Sequence, residues 1–155
     1  MTIGERDRAI LAAMQDGTTK LTDIAEDLGV HPATVSRAVG KLEGAGVIEG
    51  YTAIINPSLV GLGARALILA EIDGPGKSAF EHIERHAGDT EAIIAAHRII
   101  GSSSDYVFDV LGVDFAAIAE VHGEIRDLPS IGRTICMPVV ETMKEHGRFP
   151  IPRGE

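Results

Sequence analysis

The first 46 residues are written in a helical period. GERDRAILAAMQDG places Ile10, Leu11 and Met14 on one stripe, leaves Arg6, Asp7 and Gln15 outside, and stops at Gly17. LTDIAEDLG repeats the spacing with Leu21, Ile24, Ala25 and Leu28. Thr22 is expected to cap that helix, with Asp23 suiting its positive end, before Gly29 breaks the run. In HPATVSRAVGKL, Pro32 fits the first position of a third helix, where its missing N–H costs nothing. Val35, Ala38, Val39 and Leu42 form that helix's inward stripe, and Gly44 and Gly46 close it.

After Gly46 the pattern changes. VIEGYTAIINP is β-branched and reads as a strand ending at the Asn56-Pro57 turn, and the uncharged PSLVGLG reads as a hinge. From Ala64 strands and helices alternate: ARALILAEID a strand, KSAFEHIERHAG a helix, EAIIAAHRII a strand, GSSS a loop, DYVFDVLGV a strand. DFAAIAEVHGEIRDLP follows as a helix with Phe115, Ile118, Ala119, Val121 and Ile125 inward, and IGRTICMPVVETM as a last strand. A βαββαβ order folds most simply as a four-stranded antiparallel sheet with two helices on one face. The fold class is therefore α+β. The expected domains are a helical domain over 1–56, a linker over 57–63, the sheet-and-helix domain over 64–146 and a loose tail over 147–155.

Composition narrows the chemistry. With 4% aromatic residues and no Trp, the cores must be built from Ile, Val, Leu and Ala. No stretch approaches the roughly 20 apolar residues of a membrane-spanning helix, and charges interrupt MTIGERDRAI where a signal peptide needs its apolar core. The single cysteine, Cys136, cannot form an internal disulfide or a cysteine-based zinc cluster; it reads as a small buried hydrophobe. A cytoplasmic, non-membrane protein is expected. Net charge is −9, and residues 1–56 carry five Lys/Arg against eight Asp/Glu, or 5 − 8 = −3. Any nucleic-acid function must rest on where charges sit rather than on their sum.

Two helices joined by a Gly-containing turn, the second opening with Pro and polar side chains, match a helix-turn-helix whose second helix enters the major groove of double-stranded DNA. The candidate contacts are Lys20, Thr22, His31, Ala33, Thr34, Ser36, Arg37 and Lys41. Arg37 can grip guanine bidentately, Thr34 and Ser36 can donate to phosphates or bases, and Ala33 can meet a thymine methyl. Lys20 and Lys41 suit the backbone. The bland alternative is a three-helix packing module with a solvated polar face.

GVHPATVSRAVGKLEGAGVIEGYTAIINP resembles the reader helix and following strand of the Lrp/AsnC family, the feast/famine regulators of bacteria and archaea. HRIIGSSSDYVF resembles the family's strand–loop–strand around a Gly-x-x-Asp-Tyr motif, and LPSIGRT to PVVETMKE its last strand. The likeness spans residues 5 to about 145 in order. It implies a winged helix-turn-helix joined to a ferredoxin-like regulatory domain, pairing through its sheets into a homodimer and often a tetramer or octamer. It also implies pseudo-palindromic operators and an amino-acid effector at the interface between regulatory domains. His31 departs from the family's usual Ser, and because a neutral His caps less well, a looser start to the reader helix is expected.

By position, the resemblance assigns the effector to Ile100, Gly101, Ser102, Ser103, Ser104, Asp105 and Tyr106, with Met137, Pro138 and Val139 contributed by a neighbouring subunit's last strand. Loop N–H groups and Ser hydroxyls can hold an α-carboxylate, and Asp105 an α-ammonium. Three serines replace the family's charged or aromatic residue here, in a loop one residue longer. The bland alternative is a polar surface turn. His82 and His86 have a metal-compatible i, i+4 spacing but no further convincing ligand, and read as an exposed helix face; His97 reads as a packing or interface residue. No cofactor, metal or catalytic pair is expected. Two rivals to a DNA-binding regulator stand beside it. One is a co-regulator that binds DNA only with a partner. The other is an enzyme like the haem-biosynthesis decarboxylases that share this architecture, but AIINPSLVGLG and AAHRIIG lack the basic side chains that would grip a tetrapyrrole's carboxylates.

Overall fold

The computed structural model of the chain describes residues 3–18, 20–73, 77–100, 103–145 and 150–151. It divides into two compact units, Met1–Ile54 with Lys144–Glu155, and Ile55–Met143. Most of the expected tail lies outside the described residues.

The first unit holds α1 (Glu5–Gln15), α2 (Leu21–Asp27) and α3 (Pro32–Gly44). Ile10, Ile24, Ala25, Val35 and Val39 form its core, with Leu42 also fully buried. All three helices end in one way. The residue after the C-cap is Gly17, Gly29 or Gly46, each at positive φ. Beyond α2, Gly29 N–H donates to Glu26 O (3.0 Å) and Val30 N–H to Ala25 O (2.9 Å). Beyond α3, Gly46 N–H donates to Glu43 O and Val47 N–H to Leu42 O (2.9 Å each). This paired closure satisfies carbonyls that a helix end would otherwise leave open, and it requires a left-handed residue.

Three expectations fail in this unit. Thr22 does not cap α2; Lys20 is the N-cap position, without a side-chain bond, and Thr22 Oγ1 donates to Asp23 Oδ1 (3.1 Å). Asp7 and Gln15, expected outside, are half-buried because α1 lies close against its neighbours. VIEGYTAIINP forms no strand: residues 49–56 have no ladder partner, and Tyr51, Ile54 and Ile55 are exposed. A strand needs a neighbouring strand to take its backbone groups, and this unit offers none among the described residues.

The second unit opens with a single 3₁₀ turn, Pro57–Val60, within the expected hinge; Asn56 Oδ1 caps it by accepting from Ser58 N–H (3.0 Å). Then follow β1 (Ala64–Ile72), α4 (Lys77–Asp89), β2 (Ile93–Arg98), β3 (Tyr106–Gly112), α5 (Phe115–Arg126) and β4 (Ile131–Pro138). The strands lie in the order β2-β3-β1-β4, all neighbours antiparallel. Alternation assigns the faces. Ala64, Ala66, Ile68 and Ala70 of β1 and Tyr106, Phe108 and Val110 of β3 are buried with Ile83 of α4 and Ile118 and Ile125 of α5. The other face carries Leu67, Leu69, Val107, Leu111, Ile135 and Met137 in adjacent rows. Arg65 and Asp109 lie among them, joined by Arg65 Nε to Asp109 Oδ1 at 2.8 Å and by a second bond from Nη2 to Oδ2.

Phe115 and Ala119 are exposed rather than inward. Asp114 caps α5 by accepting from Ala117 N–H (2.9 Å), which puts Phe115 at the first helical position, ahead of the stripe Ile118, Val121, Ile125. The last strand ends at Pro138 instead of Met143. Its partner β1 starts at Ala64, so after Val139 N–H reaches Arg65 O (2.8 Å) only one residue of β1 remains opposite, and Val140 and Met143 are exposed.

Candidate DNA-reading helix and effector loop

The start of α3 is firmly built. His31 is its N-cap, with Nδ1 accepting Ala33 N–H at 3.2 Å, and Pro32 follows at the first position. The looser start expected from His31 is therefore not found: a ring nitrogen takes the place of a hydroxyl oxygen. An accepting Nδ1 places the proton of the neutral ring on Nε2. Lys20, Thr22, His31, Ala33, Ser36, Arg37 and Lys41 are all exposed and Thr34 is half-buried, while Val35, Val39 and Leu42 on the opposite side are buried. Arg37 Nε donates to Ala33 O (3.1 Å), laying the guanidinium back toward the helix N-terminus with its Nη groups unbonded among the described residues. Lys41 Nζ lies 4.0 Å from Asp7 Oδ2 of α1. One contact had no local sequence signal: Tyr51 O–H donates to Glu43 Oε1 at 2.7 Å, and the carboxylate that accepts this proton pushes the phenol's pKa up.

Gly101 and Ser102 lie outside the described residues. Around them, Ile100 is 99% exposed, Ser103 is exposed and Ser104 is buried. Asp105 stitches the loop to its neighbours. Its Oδ2 accepts Ile72 N–H (2.8 Å), its N–H donates to Ala70 O (2.9 Å), and its carbonyl accepts Ile99 N–H (2.8 Å). One carboxylate oxygen is thus already engaged by backbone. Tyr106 turns into the helix-facing core, its ring 6.0 Å from Phe108 and 6.5 Å from Phe80. Its hydroxyl is buried without a hydrogen-bond partner among the described residues. Burial pushes this phenol's pKa up, against a smaller downward pull from Arg98, whose guanidinium sits 4.2 Å over the Phe80 ring.

Met137 and Pro138 are exposed and Val139 half-buried, but they stand far from their own loop. Tyr106 aligns with Ala70 and Thr134, whereas Pro138 aligns with Ala66 and Val110. Four residues along the strands and two strand spacings across separate the segments by roughly 16 Å. One subunit does not bring the two groups together.

The remaining candidates fall into place. Among the described residues no three His, Cys, Asp or Glu side chains group as metal ligands, and no helix is long and apolar enough to cross a membrane. His82 is exposed, but His86 is half-buried, 3.5 Å from Thr90 Oγ1 and 3.8 Å from Glu124 Oε2. His97 packs into no core; it is exposed and aligned with Val107 at the rim of the open sheet face. Cys136 packs half-buried against the core, which raises its thiol pKa.

Comparison with known proteins agrees with both units. Residues 4–49 match the winged helix-turn-helix DNA-binding model, and residues 65–149 the Lrp/AsnC ligand-binding domain. The leucine-responsive regulatory protein of Escherichia coli is 30% identical over 149 residues, covering 94% of this chain and 89% of its own. A transcriptional regulator of Neisseria meningitidis, solved with L-methionine, superposes with a TM-score of 0.88 at 22% identity, over 96% of this chain and 97% of its own. The feast or famine regulatory protein of M. tuberculosis, also solved with L-methionine, gives 0.83 at 25% identity, over 97% and 100%.

Proposed function

The chain belongs to the Lrp/AsnC family of transcriptional regulators, and from that premise we propose that it is a cytoplasmic regulator that reads operator DNA with α3 and senses an amino acid through its second unit. The observation that carries the DNA reading is the α2–Gly29–α3 unit. Its second helix is capped at His31 and presents Ala33, Ser36 and Arg37 from its N-terminal half. That end enters the major groove, Arg37 gripping guanine while Thr34, Ser36 and Ala33 meet neighbouring bases. Lys20, Thr22, His31 Nε2–H and Lys41 hold phosphates and so set the register.

The working form is a homodimer or a larger homo-oligomer. Two features of the single chain support this. The open sheet face carries apolar rows (Leu67, Leu69, Val107, Leu111, Ile135, Met137) around the bonded Arg65–Asp109 pair, and residues 49–56 display Tyr51, Ile54 and Ile55 without a strand partner among the described residues. A dimer also presents two reader helices to one duplex, so a modest affinity per helix suffices. The effector is an amino acid, the ligand class held by the Neisseria and M. tuberculosis relatives. Ser103 and Asp105 of one subunit meet Met137, Pro138 and Val139 of another, since the two groups lie too far apart within one chain. With one Asp105 oxygen committed to Ile72 N–H, the other remains to meet an α-ammonium group.

Titrating the purified protein against the DNA upstream of its own gene, at two salt concentrations and with or without pooled amino acids, tests this directly. Binding that falls steeply with salt and shifts with amino acids is expected. A second reading, a co-regulator that needs a partner to bind DNA, draws on the −3 charge of residues 1–56 and predicts no complex by the purified protein alone.

A further inference from the structure

Lys41 is one of two cations on α3, and it is the one already engaged by an acid: its ammonium lies 4.0 Å from Asp7 Oδ2. The partners differ in freedom. Asp7 has only 17% of its side chain exposed and sits one turn before Ile10, which is 0% exposed in the core, so α1 fixes the carboxylate in place. Lys41 is 59% exposed on a flexible four-carbon stem. A 4.0 Å separation is well inside the roughly 8 Å screening length of physiological salt, so counterions do not cancel this pair.

We propose that Asp7 is a built-in competitor for the DNA backbone, occupying the Lys41 ammonium and lowering the sequence-independent part of DNA affinity. A phosphate approaching Lys41 must displace the Asp7 carboxylate or share the ammonium with it, and in either case it meets a fixed negative charge. The free protein thus gives up part of the binding that one of its few cations would supply. Arg37, by contrast, is held by its own helix carbonyl and meets no such competitor among the described residues. The device weakens backbone attraction while leaving the base-reading end of α3 untouched, so discrimination rests more on Arg37 and its neighbours than on bulk charge. The same pair would position α1 against α3 if it were only structural, and the two roles predict opposite signs.

This inference rests on the DNA-binding reading, and the experiment separates the two. Full-length wild type, Asp7→Asn, Lys41→Gln and the double variant are titrated by fluorescence anisotropy against a mixed-sequence duplex across a low-to-moderate salt series. Asp7→Asn is expected to bind about two- to fivefold more tightly per reader helix at low salt, with a log–log salt slope steeper by up to about 0.9 per helix. In the Lys41→Gln background the gain from the Asp7 substitution should shrink to less than half and the slope change should vanish, because only through-space repulsion is then relieved; a general charge effect or altered packing would give the same gain in both backgrounds. Thermal melts confirm that each variant is folded. Unchanged or weaker binding by Asp7→Asn, with wild type binding normally, overturns the competitor role and leaves the DNA reading standing. No binding by either protein at the lowest salt overturns both.

Discussion

His31 Nδ1 accepts the backbone N–H of Ala33 at 3.2 Å, so the helix placed to read DNA is capped by an imidazole. Removing the ring leaves that N–H without its partner. His31→Ala is expected to cost about 1 kcal/mol of stability in urea unfolding, while His31→Ser, which restores a capping hydroxyl, should recover most of it. Equal stability of the Ala and wild-type proteins would show that the ring does not cap in solution.

Arg37 and Lys41 should fail in different ways. Arg37→Ala is expected to cost about 1–3 kcal/mol on a preferred operator and to relax the preference at one base position. Lys41→Ala should weaken all duplexes alike and flatten the salt slope. Competition titrations with base-substituted operators distinguish the two; a uniform loss for Arg37→Ala would move that residue to the backbone class.

Arg65 and Asp109 bond each other between the apolar rows of the open sheet face, which also carries Glu71 opposite Arg133 at one end. If that face meets a second copy, Arg65→Ala strands a carboxylate in the interface and should weaken self-association by about tenfold or more. Replacing both residues by Leu should restore association, because an apolar pair carries no desolvation cost. Sedimentation velocity reads both; unchanged association of Arg65→Ala would place the interface elsewhere.

The Tyr106 hydroxyl is buried with no partner to accept or donate among the described residues. Tyr106→Phe is therefore expected to leave stability unchanged or raise it by about 1 kcal/mol. A loss of amino-acid response in the same variant would tie the hydroxyl to the effector. Both described phenols titrate late, Tyr51 because Glu43 accepts its proton and Tyr106 because it is buried. A folded pKa raised above the unfolded value contributes stability that is complete below about pH 10 and is lost as pH rises through the folded value. Ultraviolet titration should show both ionisations above pH 10, and Tyr51→Phe should remove one of them.

Local chemistry carried much of this architecture into view. Gly17, Gly29 and Gly46 marked helix ends because only a left-handed residue closes them in this way, and the apolar runs ARALILAEI and YVFDVLG marked β1 and β3 as strands, while only their alternating burial in the structure assigned the faces. What stayed hidden was tertiary. Asp7 and Lys41, Glu43 and Tyr51, and Arg65 and Asp109 meet across elements, and no periodicity marks them. VIEGYTAIINP has strand composition but no partner strand in its own unit, so composition alone misplaced it. The candidate effector loop stood out by its likeness to the family's loop, yet the use of Asp105 to hold Ile72 N–H depends on where β1 ends.

Sequence-specific reading by α3 is the central claim, and selection of bound sequences from a random duplex pool by the purified protein tests it most directly. The expected result is one enriched pseudo-palindromic site whose enrichment collapses in Arg37→Ala. Enrichment that survives Arg37→Ala, or a pool that remains random at low salt, would contradict the assignment of α3 as the reader.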